Sequence, residues 1–422
     1  MSAVVPHNAA ASVVIVGAGQ AGGRAAEALR QNGHTGSITV VGDEVHPPYE
    51  RPALSKNFLK QASLEQIAWV RPAAWFEQAG ISLVGGRRAQ AVDRAAHAVV
   101  LDDGARLPYQ ALVLATGTRP RPLTIPGADH PLVGCLRTID DGLLLNSRLR
   151  PDAHIVVIGA GFIGMEVAAT ARQYGCAVTV LEMAELPMAR GVPPLIGRFY
   201  AGLHRARGVD LRTATRVLGI ADHGGRAVVE TDAGPLPPAD AVVAGIGVVP
   251  NVELAQAAGL EVDNGIVVDE YGRTADPAVY VAGDASSHYN PLLGRRLRLE
   301  SWQNAQNQAI AVARNILGAD KPYAEVPWFW SDQYELNLQI AGLPQADDEV
   351  VSRGVLGEGA SVHFHLRGGR LTAAVGVNAA RDVRFGKEII ALGRPVSAAE
   401  LADATLPLPT LFNNLKRSAQ AA

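Results

Sequence analysis

Apolar residues in this chain fall in short unbroken runs rather than in long alternating stretches. Val13–Val16 (VVIV) and Ile155–Ile158 (IVVI) are two such runs. Each consists of β-branched residues, which predicts a short strand buried on both faces. Each run stops at a glycine turn, and an alanine-rich stretch with helical spacing follows, closing near Gly33 or Gly175. A second short strand comes next, Ile38–Val41 (ITVV) in one place and Val178–Leu181 (VTVL) in the other. The first and last glycines of the two segments are offset equally along the chain, so one structural unit is used twice. Further on, Trp302–Leu317 reads as a helix, with Ala305, Ala309, Ala311 and Ala313 inside it. From about Trp328 the pattern changes. Ser361–Val377 alternates around Gly368-Gly369, a hairpin signal, and Arg384–Leu392 reads as a helix. The last part therefore predicts a small α+β domain.

The glycine turns give the duplicated unit its chemistry. Both read G-x-G-x-x-G: Gly17, Gly19 and Gly22, then Gly159, Gly161 and Gly164. The first glycine makes the tight turn, the second lets backbone approach a pyrophosphate, and the third lets helix pack on strand. The helix N-terminus then offers unpaired N–H donors to the phosphates. An acid follows the second strand in both copies, as this chemistry requires. In the second copy it is Glu182, which accepts from an adenosine ribose 2′-OH and repels a 2′-phosphate, favouring NAD over NADP. In the first copy Gly42 stands at that place and Asp43 and Glu44 follow; Asp43 is the expected ribose ligand. Ala21 lies inside the first turn and is expected to touch the same ligand. Two dinucleotides on one chain imply a resident FAD and a visiting NADH.

Composition narrows the choice. The chain has 422 residues, which suggests two to four domains, and 48% of them are hydrophobic, ample for real cores. A formal net charge of −3 argues against nucleic acid or an anionic membrane as the main partner. Two cysteines, Cys135 and Cys176, exclude a disulfide framework and a self-supplied iron–sulfur cluster, and fit a reducing cytoplasm. No Cys/His array has zinc spacing, so no metal is expected. The first charged residue after Met1 is Arg24, and the apolar run from Ala9 to Ile15 leads straight into the glycine turn, so neither a signal peptide nor a membrane span is expected.

Other motifs separate the two nucleotide sites. VLATG (Val113–Gly117) and YVAGD (Tyr280–Asp284) are strand ends closing on a glycine turn or an acid. GIGVVPN (Gly245–Asn251) reads as a return strand. Together with the duplicated units, these resemble the FAD-containing pyridine-nucleotide oxidoreductases of glutathione-reductase-like fold. That fold is α/β, with two Rossmann-type dinucleotide-binding domains and a C-terminal α+β domain. The disulfide-reducing and peroxidase branches need an early redox cysteine, and none precedes Cys135. The chain more closely resembles the oxygenase-coupled ferredoxin reductases over nearly its whole length. The resemblance is carried by PPYERPALSK (Pro47–Lys56), LRT (Leu136–Thr138), GFIGMEVAA (Gly161–Ala169), ESWQNAQNQA (Glu300–Ala309) and PWFWSDQY (Pro327–Tyr334).

The expected organisation is a discontinuous FAD domain (7–118 and 251–327), an NAD domain (119–250) and a C-terminal cap (328–422). Thr118–Gly127, with three prolines, is the outgoing linker and Val248–Glu253 the return. The resemblance implies FAD contacts from Gly17, Gly19, Ala21, Gly22, Asp43, Arg51, Lys56, Ala89 through its backbone, Thr116, Gly117, Arg137, Asp284 and Trp302. Asp284 would meet the ribityl chain, and Arg137 a phosphate or the adenosine. For NAD it implies Gly159, Gly161, Ile163, Gly164, Glu182, Arg190 and Gly247. Lys56, at the end of an extended Pro-rich stretch, would lie beside the flavin and pair with Glu166, fixing geometry and field rather than moving a proton. The helix from Trp302 would aim its dipole at the flavin. Trp328 and Trp330 line an electron exit or simply pack, and Arg295, Arg296 and Arg298 form a candidate docking patch.

The activity so implied is hydride transfer from NADH to FAD. Single electrons then pass to a [2Fe–2S] ferredoxin that feeds a cytochrome P450 or a ring-hydroxylating dioxygenase. A rubredoxin reductase, an NADH oxidase, and an NADH-sensing flavoprotein resembling apoptosis-inducing factor are the alternatives.

Overall fold

The computed structural model describes residues 11–420. The expected domain start at residue 7 and the beginning of the Ala9–Ile15 run lie outside the described residues. The chain folds into two compact units. The first holds residues up to Arg51, Ile67–Arg119 and Val249–Pro327; the second holds Pro52–Gln66, Pro120–Val248 and Trp328 onward.

In the first unit Val13–Val16 is the middle strand of a five-stranded parallel sheet. Its neighbours are Ile38–Val41 and Ala111–Leu114, with Val13 opposite Ile38 and Ala111; Ile81–Val84 and Val279–Val281 are the edges. Side chains of a strand alternate between faces, so a strand covered on both sides must be apolar at every position. Val13 and Ile15 pack with the helices Gln20–Gln31 and Trp302–Ile316. Val14 and Val16 pack on the other face with Val92, Val99, Leu101 and Ala255.

The second unit repeats the plan. His154–Ile158 is the middle of a five-stranded parallel sheet between Ala177–Leu181 and Ala241–Ala244. Ile155 and Val157 share a core with the helices Phe162–Gln173 and Pro194–Ala206, while Val156 and Ile158 pack on Ile220, Ala227 and Val229. The same unit carries a five-stranded antiparallel sheet in the order Trp328–Gln333, Leu336–Gly342, Arg370–Val377, Ser361–Arg367, Glu349–Arg353. Its Leu338, Ile340, Val375 and Val377 enter the same core as Ile155 and Val157. The expected hairpin turn is there: Gly368 and Gly369 have φ of 56° and 70°, a left-handed pair suited to a two-residue hairpin. The helix expected from Arg384 begins earlier and spans Ala380–Leu392.

One expectation needs correction. The Pro47–Lys56 stretch is not wholly extended: Arg51–Ala53 makes one 3₁₀ turn, and a helix begins at Asn57. Proline fixes a φ that suits such a turn, and a single turn does not require the N–H that Pro52 lacks. The linker beginning at Thr118 includes a short strand, Thr118–Pro120. Residues 52–66 leave the first unit and pack in the second, where Leu59 joins the core and Phe58 lies against Gly142, a position with no room for a Cβ. No helix among the described residues is long and apolar enough to cross a membrane.

Candidate functional site

The two glycine turns are built alike. Gly17 N–H donates to Val41 O at 2.8 Å, and Gly159 N–H donates to Leu181 O at 2.7 Å. Both first glycines have positive φ, 115° and 101°, and a Cβ on either would collide with the next strand's end, at Ala115 O or Gly245 O. A Cβ on either third glycine, Gly22 or Gly164, would collide with the carbonyl of the first. The second glycines differ. A Cβ at Gly19 would meet no protein atom within 4 Å, and one at Gly161 only Gly245 O at 3.8 Å. Packing inside the protein therefore explains the first and third glycines but not the second. A backbone position kept bare on its outer side is what a closely approaching pyrophosphate requires, so the residues present fit a dinucleotide at both turns.

The acids after the second strands behave differently. Glu182 turns back onto its own glycine turn: its carboxylate accepts from Ala160 N–H at 2.7 Å and Ala184 N–H at 2.8 Å. In the first unit Gly42 occupies the matching place because Ala18 crowds it; a Cβ there would overlap the Ala18 methyl. The acid is displaced along the chain. Asp43 is 65% exposed and meets Arg88 at 3.4 Å, whereas Glu44 accepts from Tyr49 Oη and Arg51, both at 2.6 Å. Burial pulls against Arg51, but Tyr49, Glu44 and, to a smaller extent, Asp284 hold its pKa above the ordinary arginine value.

Around the first turn the structure gathers several expected residues. Gly283, at φ 83°, lies against the Ala21 methyl, which brings the YVAGD end to the first helix. Asp284 accepts from Thr118 Oγ1 at 3.3 Å. Thr116 and Gly117 are tied to Asn251: Thr116 Oγ1 donates to Asn251 O at 2.7 Å, and Asn251 N–H donates to Gly117 O at 2.9 Å. Trp302 opens the Trp302–Ile316 helix, which Ser301 caps by accepting from Asn304 N–H. Ala89 starts a strand of the small antiparallel sheet.

Around the second turn, Ile163 is 46% exposed on the first turn of its helix. A Cβ at Gly247 would lie 3.3 Å from the Arg190 guanidinium, so those two expected residues are neighbours. Arg137 belongs to this second unit, beside the Thr138–Asp141 capping box, and its N–H donates to Asp141 at 2.8 Å. Cys135 is half-buried and its thiol is pushed up to about 11, first by burial and then by Asp141. It is therefore not a poised thiolate.

Lys56 Nζ meets Glu166 Oε2 at 2.8 Å, as expected, and Glu166 is only 3% exposed. Two further donors to Glu166 were not expected from the sequence. Ser55 Oγ donates to the same oxygen as Lys56, and Ser331 Oγ donates to Oε1 at 2.7 Å. Lys56 also lies over the Trp330 ring, 5.8 Å from its centroid. Trp330 stacks on Trp328 at 5.2 Å and 20°, and its Nε1 donates to Asp332. In the arginine patch, Arg296 donates to Val268 O and Ser287 O, Arg298 pairs with Glu300 at 2.7 Å, and Arg295 is exposed. Among the described residues no group of three or more His, Cys, Asp and Glu is arranged to hold a metal ion.

Two dinucleotide cradles on two parallel sheets define a nucleotide-dependent oxidoreductase. Residues 11–309 match the pyridine nucleotide-disulphide oxidoreductase family, to which this chain belongs, and residues 328–412 match the reductase C-terminal family. The chain is 49% identical over 401 residues to the ferredoxin–NAD(+) reductase component of an anthranilate 1,2-dioxygenase system from Burkholderia cepacia, covering 94% of this chain and 98% of that protein. It superposes on the ferredoxin reductase for the CYP199A2 system of Rhodopseudomonas palustris with a TM-score of 0.91 and 41% identity, covering 95% and 99% of the two chains. It also superposes on the reductase of the covalent putidaredoxin reductase–putidaredoxin complex, with a TM-score of 0.93 and 40% identity over 97% and 100%. The glutathione-reductase-like fold expected from the sequence is therefore the fold observed.

Proposed function

We propose that this chain is the FAD-dependent NADH:ferredoxin reductase of an oxygenase system. Hydride passes from NADH to FAD, and the electrons leave singly to a [2Fe–2S] ferredoxin that supplies a cytochrome P450 or a ring-hydroxylating dioxygenase. The observation that carries this reading is the pair of glycine cradles, each bare at its second glycine, with Glu182 locked onto the second. Relatives named as ferredoxin reductases of dioxygenase and P450 systems support the choice of partner. So does a solved complex of one similar reductase with putidaredoxin. A cytoplasmic setting belongs to the proposal, in keeping with two free cysteines.

FAD supplies the conversion of a two-electron donor into one-electron steps; the protein supplies binding, orientation and field. The Gly17–Gly22 turn would hold the FAD pyrophosphate, assisted by Ala21, Asp43, Arg51, Ala89, Thr116, Gly117, Asp284 and Trp302. The Gly159–Gly164 turn would hold NADH, with Ile163, Arg190 and Gly247 about the nucleotide. Glu182 keeps acceptor capacity on both oxygens beyond its two backbone bonds, since a carboxylate has about four lone-pair sites. It would receive the ribose hydroxyls and repel a 2′-phosphate. Lys56 and Glu166 hold a fixed pair of charges and move no proton.

Stopped-flow mixing of the yellow holoprotein with NADH and NADPH tests the first half. NADH is expected to bleach the flavin faster. Cytochrome c reduction with and without [2Fe–2S] ferredoxins tests the second half. Equal bleaching by both nucleotides overturns the role of Glu182, and no acceleration by any ferredoxin overturns the partner.

A further inference from the structure

The Lys56–Glu166 pair ends a longer buried chain of hydrogen bonds. Ser331 Oγ donates to Glu166 Oε1 at 2.7 Å. Gln333 Nε2 lies 3.1 Å from Ser331 Oγ and 3.4 Å from Met188 Sδ. Gln333 Oε1 lies 2.9 Å from His204 Nε2. Ser331, Gln333 and His204 are completely buried. The four segments involved are Ser55–Lys56, the Phe162–Gln173 helix, the Pro194–Ala206 helix and the Trp328–Gln333 strand, all in the second unit.

The donor and acceptor inventory fixes the direction of every bond. Ionised Glu166 can only accept, so Ser331 must spend its single proton on it. Ser331 then presents a lone pair to Gln333, which must turn its NH₂ that way and its carbonyl toward His204. That carbonyl needs a donor, so His204 carries its proton on Nε2. His204 Nδ1 is buried with no partner among the described residues. A second proton there would be an unsatisfied buried charge, and burial pulls the His204 pKa down to about 4. The chain thus runs one way, from a neutral imidazole to the carboxylate. Turning Ser331 or Gln333 round leaves a further buried polar atom unpaired.

We infer that Ser331 and Gln333 are positioning residues for the Lys56–Glu166 pair, with His204 fixing the direction of the chain behind them. The C-terminal sheet thereby sets the orientation of a carboxylate on the nucleotide-binding helix, and through it the place of the Lys56 ammonium. This inference rests on the proposed function and on the role beside the flavin that the family resemblance implies for Lys56.

Ser331→Ala removes one oxygen, Gln333→Leu breaks the next link, and Ser331→Thr keeps the hydroxyl. In the holoprotein, Ser331→Ala and Gln333→Leu are expected to lower the limiting rate of flavin bleaching by NADH about tenfold, the scale of one hydrogen bond to a charged group. The Kd for NADH should stay within about twofold, and the flavin midpoint potential should shift. Ser331→Thr should restore both rate and potential. If Ser331→Ala and Gln333→Leu leave rate and potential unmoved while the unaltered protein bleaches normally, this inference alone is overturned, whatever happens to thermal stability. If the unaltered protein is not bleached by NADH, the functional reading falls, and this inference with it.

Discussion

Glu182 joins an observed structural task to the selective one proposed for it. It fastens the end of its strand to the glycine turn through Ala160 N–H, so its position is set before any nucleotide arrives. On the proposed function, replacing it with Ala would remove the ribose acceptor and the repulsion of a 2′-phosphate. The expected result is a fall of about ten- to a hundredfold in kcat/KM for NADH with a rise for NADPH, read from steady-state kinetics with both nucleotides. His204 and His288 make a second residue-scale case. Both are buried, and burial draws each pKa down to about 4 from 6.5. Between those values the unfolded chain takes up protons that the folded one refuses. Stability is therefore lost as pH falls from about 6.5 toward about 4, by up to roughly 3 kcal/mol for each histidine. Urea unfolding of the unaltered protein and of His204→Gln at pH 7 and pH 4.5 checks this, the variant losing less on acidification.

The strand–turn–helix element is used twice, and its glycines sort by what a side chain would strike. Gly164→Ala drives a methyl into Gly159 O, whereas Gly161→Ala meets only Gly245 O at 3.8 Å. Gly164→Ala is therefore expected to lower Tm by several degrees, and Gly161→Ala to leave it nearly unchanged. Gly161→Ala should still weaken NADH binding, by tenfold or more, while the flavin stays bound. Differential scanning calorimetry with flavin-monitored titration separates the two effects. This element was also the most legible part of the sequence, because unbroken β-branched runs and glycine spacing act locally. Helix ends were less legible. The Ala380–Leu392 helix begins before Arg384, since its start depends on the sheet beneath it, where Gly386 rests on Ala374 and Gly376 on Val383. The surroundings of Arg296 and Arg298 were illegible for a related reason: a row of like charges says nothing of the carbonyls and of Glu300 that engage them. Ser331 and Gln333 lie within Pro327–Tyr334 and His204 lies in none of the motifs, but no local pattern links the three to Glu166; only tertiary packing brings them there.

The second unit is held by a core that the nucleotide-binding sheet shares with the C-terminal one. Leu338, Ile340, Val375 and Val377 pack with Ile155, Val157 and Tyr200. Ending the chain before Trp328 would leave that surface bare. The shortened protein is expected to lose its near-UV circular dichroism and to aggregate, and a truncated version with sharp unfolding and retained NADH binding would contradict the shared core. Breaking the Lys56–Glu166 pair is a milder insult. Lys56→Met leaves Glu166 with its two serine donors but no counter-charge, at a cost of about 3–5 kcal/mol, measurable as a reduced midpoint in urea.

The path of residues 52–66 has an evolutionary and practical consequence. These residues lie between two stretches of the first unit but belong to the packing of the second. A recombination event, or an engineer, that exchanges the nucleotide-binding half as one uninterrupted cassette would bring the incoming helix and strands without the lysine and serine that complete them. Parents that differ in this short interval would give chimeras with mismatched partners at Glu166. Transplants between such enzymes should therefore succeed only when the early segment travels with the late one.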